Sequence, residues 1–321
     1  MPPDVHFSWN GLTPANLDRC IALWSDRGDY EPFELAGVLE RVRRLLYEQR
    51  ARGRLIVDQH GEARAFGLSV FVDEPTADEI ATTLHPQIGK RLLQRPDWNT
   101  RILGIGEIGQ RNAASGLQMV VVNQGYDDSG LTDEGWTALL GALIQSFTET
   151  HQGFRLKRTI IEAFGQRGVD FVARSWPNVA RSEVAMKNRT MLWTARWAVT
   201  RVEAEQQGGA LLPMFLYRPP LLGLTPSEKA VLRVALNGVT DQAIADALEI
   251  PIASVKSRWS RIFRRVAQSS LAPQLDPGKR SGERGRQARH LVVEHVRQNP
   301  SELTPFESVT APKRHVRVKT P

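Results

Sequence analysis

Leu224–Val266 reads LTPSEKAVLRVALNGVTDQAIADALEIPIASVKSRWSRIFRRV, and its spacing predicts three short helices joined by two tight turns. Thr225 or Ser227 can cap the first helix, because a side-chain oxygen accepts from the orphan N–H groups of a first turn. Pro226 is tolerated there, since its missing N–H would have had no partner. Val231, Leu232, Ala235 and Leu236 recur at helical spacing, and Asn237-Gly238 supplies a left-handed stop. Thr240 caps the second helix, Asp241 suits the positive end of its dipole, and Ile244, Ala245 and Leu248 form its apolar stripe. Glu249-Ile250-Pro251 turns the chain. The third helix is expected from about residue 252 to about 266, with Val255, Trp259, Ile262 and Val266 on one face.

Between Ser254 and Val266 stand five basic residues and no acidic one. An ordinary solvated helix face mixes signs, whereas a phosphate backbone would neutralise this one. The pattern fits a helix-turn-helix that lays its last helix in the DNA major groove. These 43 or so residues resemble the DNA-binding domain of the LuxR/GerE regulators. Leu224-Thr225, Glu228, Val231-Leu232, Gly238, Ile244-Ala245, Leu248, Ile250, Ser254-Val255-Lys256 and Ile262 stand at that family's spacing. Ser227, Pro251 and Arg258 depart from it, standing where the family usually has Arg, Ser and His. The resemblance implies base contacts from Lys256, Ser257 and Ser260 and phosphate contacts from Thr240, Gln242, Ser254 and Arg261. Arg258 could serve either role. Val255–Trp259 also resembles region 4 of bacterial sigma factors. Residues 1–223 lack the helical, basic and aromatic polymerase-binding pattern that this reading would need.

The charge divides along the chain. Residues 1–223 hold 25 Lys and Arg against 26 Asp and Glu, while residues 224–321 hold 17 against 9. That asymmetry is the footprint of a reader domain attached to a neutral one. The single cysteine, Cys20, excludes an intrachain disulfide and a cysteine metal cluster. With no signal peptide and no membrane-length apolar run, the chain reads as cytoplasmic.

Residues 1–211 alternate strand and helix patterns and are expected to form an α/β domain. Residues 14–26 and 32–52 look helical, the second with a stripe of Leu35, Val38, Leu39, Val42, Leu45 and Leu46. Residues 54–58 and 63–72 read as strands around a Gln59-His60-Gly61 turn. Short helices are expected at 78–84 and 87–93, a buried strand at 117–123 and a long helix at 133–150. In that helix Trp136, Leu139, Leu140, Leu143, Ile144 and Phe147 would face inward. A strand at 158–164, a short helix at 168–175 and strands at 182–186 and 191–199 complete the run. The order strand, long helix, strand, short helix, strand resembles the back half of the GNAT acyltransferase fold. Pro213, Pro219, Pro220 and Pro226 mark 212–223 as a semi-rigid linker before a helix-turn-helix domain at 224–268. Residues 269–321 read as a flexible basic extension with a short helix at 287–298.

Other signals are weaker. Gly104–Gly109 spells G-x-G-x-x-G, but no strand precedes it to form a dinucleotide-binding unit. Arg101–Gly106 fits the R-x-x-G-x-G loop with which acetyl-CoA enzymes cradle a diphosphate. In those enzymes the loop follows a long central strand, whereas here the strand at 117 comes after it, so a turn before a helix is favoured. Glu107 and Glu162 are candidate bases in an enzyme, and capping or surface carboxylates otherwise. His290 and His295 are poorly spaced for a shared metal, and Trp136, Trp193 and Trp197 read as packed aromatics.

Together these point to a sequence-specific transcription regulator and not an enzyme. Its partner would be double-stranded DNA, bound as a homodimer, with a possible small-molecule effector in the first domain. No cofactor, metal or membrane is called for. An acyltransferase-like enzyme carrying a DNA-binding tail is the reading from another class.

Overall fold

The computed structural model describes residues 6–25, 32–175, 181–185, 193–272 and 284–307. Seven strands form one mixed sheet: β1 (Ser8–Gly11), β2 (Ala51–Val57), β3 (Ala63–Val72), β4 (Leu117–Tyr126), β5 (Leu156–Phe164), β6 (Arg181–Ala185) and β7 (Trp193–Thr200). Their spatial order is β1-β2-β3-β4-β5-β7-β6. Among the described strands only β4 and β5 run parallel, and the long helix α7 (Asp133–His151) crosses between them. The α/β expectation therefore holds, as does the strand, long helix, strand, short helix, strand order, with α8 (Gly165–Ser175) as the short helix.

Side chains alternate across a strand, so each face of the sheet gathers its own core. Val120 and Val122 of β4 join the cluster under α1 (Ile21–Ser25) and α2 (Pro32–Tyr47). Met119 and Val121 point the other way, toward a cluster shared with α8. All six expected stripe residues of α2 are buried.

That helix stops at Tyr47 rather than continuing to 52. Gln49 takes a positive φ, and β2 already begins at Ala51. The reason is tertiary: Arg50 spends its guanidinium on the Ile102 and Leu103 carbonyls and on Asn99. The expected hairpin is present, with Asp58 accepting from the His60 and Glu62 amides around Gly61. The helices α3 (Glu74–Thr82) and α4 (Ile88–Gln94) sit near their expected positions. Periodicity did not reveal β1, α5 (Trp98–Arg101) or α9 (Arg201–Gln207), since four to seven residues carry too few repeats, whereas α6 (Ile105–Ala113) stands where a turn before a helix was expected.

The small all-α region contains α10 (Pro226–Ala235), α11 (Asp241–Ala247) and α12 (Ile252–Gln268). Thr225 and Glu228 cap α10 reciprocally, and Thr240 caps α11 by accepting from the Ala243 amide. Two expectations change here. Residues 212–223 are no bare spacer: Met214 and Phe215 are buried in the sheet's second cluster, and Leu222 belongs to the helical core. The C-terminal extension is also partly packed. A fourth helix, α13 (Arg284–Gln298), places Val292, Val293 and Val296 in the helical core. Arg289 pairs with Asp241 at 2.8 Å and lies over the Trp259 ring.

After α13 a strap through residues 300–307 ties the two regions together. Glu302 accepts from the Leu221 and Leu222 amides, and the Thr304 carbonyl accepts from Lys229. Asn112 of α6 donates to Thr304 and to the Pro305 carbonyl. Within the expected flexible extension, 273–283 and 308–321 lie outside the described residues. Among the described residues, no helix is long and apolar enough to cross a membrane.

Candidate functional site

The parallel central pair does not stay together. β4 and β5 are in register from Leu117↔Leu156 to Val120↔Ile160, where the ladder ends, although β4 continues to Tyr126 and β5 to Phe164. On its other edge β4 remains paired with β3 as far as Tyr126. The divergence opens a cleft between the two central strands, bridged by Gln124, which donates to the Glu162 carbonyl at 3.2 Å.

Glu162 stands on β5 beside this cleft, its side chain 3% exposed. One carboxylate oxygen accepts from Arg196 of β7 at 3.0 Å, and the other from the Ile88 amide at 2.9 Å. Arg196 also donates to the carbonyls of Ile80, Thr83 and His85. Burial raises the Glu162 pKa, opposed by the bonds from Ile88 and Arg196. The first turn of α4 therefore lies over the cleft. Gly89 packs so closely on β4 that a Cβ there would overlap the Val122 carbonyl.

The expected phosphate-type motifs fall elsewhere. Arg101 is bound to Asp97, and Gly104 starts α6 with its amide held by Glu107 at 2.8 Å. The sequence 101–106 is thus a turn before a helix, and Glu107 is a capping carboxylate. The loop that does follow the central strand β4, 127–132, holds Asp127 paired with Arg64 and Asp128 paired with Arg167. Asp133 and Glu134 follow in the first turn of α7. Four carboxylates already sit at this helix N-terminus, so these residues do not fit the diphosphate of a coenzyme A thioester.

The residues expected to touch DNA stand on α12 and at the start of α11. Lys256, Ser257, Ser260 and Arg261 are exposed on α12, Gln242 and Thr240 are exposed at the start of α11, and Ser254 and Arg258 are half-buried. Gln242 donates to Asp246 at 2.8 Å and Arg261 to Ser257 at 3.3 Å. Arg264 adds to the exposed basic face, but Arg265 turns inward to pair with Glu228 at 2.9 Å. The opposite face is Val255, Trp259, Ile262 and Val266, all buried.

No family model matches this chain, and no curated protein matches it. Solved structures do. A mutant of the spermidine N-acetyltransferase SpeG from Vibrio cholerae is 8% identical with a TM-score of 0.36, over 62% of this chain and 95% of that one. The N-acyl amino acid synthase FeeM from uncultured soil microbes is 11% identical with a TM-score of 0.35, over 64% and 99%. NAA60 from Arabidopsis thaliana, solved with acetyl-CoA, is 10% identical with a TM-score of 0.34, over 61% and 99%. These matches correct two expectations. The chain was expected not to be an enzyme, and its functional description was expected to be transcription regulation by a LuxR-family protein. The structures named are acyl-transferring enzymes instead, and GNAT-like is the one descriptive term they share with the expectation. Overlap at these TM-scores assigns no substrate and no residue role.

Proposed function

We propose that the α/β region is an acyl-transfer domain and that the helical region is a DNA-binding tail attached to it. The divergence of β4 from β5 beyond Val120 and Ile160 carries the first half. A gap inside a sheet offers strand-edge amides and carbonyls to an extended, amide-bearing acyl carrier, much as an exposed edge takes an added strand. Glu162, a carboxyl of raised pKa beside that gap, is suited to take the proton from an attacking amine. The amine nitrogen would form the new bond to the acyl carbon, and the carrier thiolate would leave. For this, the first turn of α4 must withdraw from over the cleft.

Because carboxylates stand at the start of α7, a diphosphate on the carrier would gain no binding there. Full-length protein assayed for thiol release with an amine acceptor should therefore use an acyl-pantetheine thioester as well as an acyl-coenzyme A. Absence of turnover with both thioesters across a panel of amines would overturn the acyl-transfer reading.

The tail rests on a separate observation, the unmixed basic surface of Lys256, Arg261 and Arg264. Anisotropy of a random-sequence duplex across a salt series tests it: phosphate contacts should make binding fall steeply as salt rises. No binding at low salt would remove DNA as the partner.

A further inference from the structure

A second cavity lies on the other face of the sheet, between β2, β3 and β4 and the helices α7 and α8. Leu143, Ile144 and Phe147 of α7 form its apolar wall, and Arg52, Ser69 and His151 its polar end. Its free volume is about 50 Å³. At roughly 10–15 Å³ per water, a short chain of atoms could replace several solvent molecules.

The polar end is unbalanced. Arg52 and Arg54 both face the cavity, and no Asp or Glu lines it. Arg54 is engaged by Thr150 at 2.7 Å. Arg52 stacks over the Phe154 ring with its carbon 4.4 Å from the centroid, and its buried Nε has no hydrogen-bond partner. Among the described residues no carboxylate pairs with Arg52.

His151 does not compensate. Its Nδ1 donates to the Phe147 carbonyl at 2.8 Å, leaving Nε2 to accept from the Ser69 hydroxyl at 2.6 Å. Burial holds its pKa down at about 3, which keeps the ring neutral and leaves Nε2 as the acceptor. A partly buried guanidinium beside an apolar void is costly unless an anion answers it.

We propose that this cavity binds a small organic carboxylate with a short apolar tail, the carboxylate on Arg52 and the tail against Leu143, Ile144 and Phe147. The site is distinct from the β4–β5 cleft, although Val121 and Gln124 border both. Its test is therefore independent of any thioester chemistry.

Calorimetric titration of the full chain with hexanoate should show saturable one-to-one binding, while hexylammonium at the same concentrations should show none. Arg52→Met keeps an apolar stem and loses the charge, so it should weaken hexanoate by at least about tenfold. Leu143→Trp should fill the void and abolish binding. Ile144→Phe serves the same purpose should the tryptophan variant fail a thermal-melting check of folding. Absence of saturable hexanoate binding, equal binding of hexylammonium, or hexanoate affinity unchanged in Arg52→Met would each overturn the proposal.

Discussion

The helices α7 and α12 look alike as sequence patterns and differ as packed objects. Both repeat apolar residues at helical spacing. In α12 the whole stripe closes: Val255 and Ile262 are 0% exposed, and Trp259 and Val266 are 5%. In α7, Leu139 is fully buried, but Leu143, Ile144 and Phe147 are only half-buried, because they wall a cavity against the sheet. The main partners of α12 are its own neighbours, α10 and α11, joined by tight turns. The partners of α7 are β1, β2 and β3, strands from the other end of the α/β region. Short connections let local pattern dictate packing, whereas a face assembled from distant strands need not match its helix, and the mismatch becomes a cavity.

Substitutions can sharpen that contrast. The largest effect is expected at the close approach of α4 to the sheet. Gly89→Ala should cost at least about 4 kcal/mol, read from the denaturant midpoint, because the clash is with backbone that cannot swing away. A near-neutral result would show that α4 lifts readily from the β4–β5 cleft. Next, Trp259→Ala should cost about 3–4 kcal/mol by the same measurement, through the cavity left in a closed core. By comparison, Leu143→Ala should cost less than about 2 kcal/mol, since part of its surface already meets empty space. Equal costs would erase the distinction between the two helices.

The pH dependence comes third. With the His151 pKa held near 3 against the ordinary 6.5, the unfolded chain binds the extra proton between those values. Stability should therefore fall as pH drops from 6.5 toward 3, by up to about 1.4 kcal/mol per pH unit from this group. Urea melts of the wild type and His151→Gln at pH 7 and pH 4.5 check it, and parallel curves would refute it. The smallest effects belong to the exposed face of α12. Lys256→Ala should remove about 1–3 kcal/mol of discrimination at one base position, and Arg261→Ala should weaken all duplexes alike and flatten the salt slope. Anisotropy on a selected site and on random duplex separates the two.

What was legible differs between the regions for the same physical reason. The caps Thr225 and Thr240, the stop at Gly238 and the buried faces of α10 to α12 follow from residues only a few positions apart. Glu162 appeared in sequence only as one carboxylate among many, since its partners Arg196 and Ile88 lie 34 and 74 residues away. Arg52 and His151 carried no signal at all, because a cavity is a property of elements brought together. The strap was missed because Glu302 and Thr304 acquire partners on both regions only after those regions fold.

The sequence by itself determined the α/β character of the first region, the three-helix pattern of the second, and the division of charge between them. Periodicity, caps and composition are local quantities and survive without coordinates. Only the tertiary structure decided that the central strands part beyond Val120 and that α4 covers the resulting cleft. It also decided that a half-buried arginine faces an apolar cavity. Each of these depends on residues far apart in the chain meeting at one place, and spacing along the chain holds no record of such meetings.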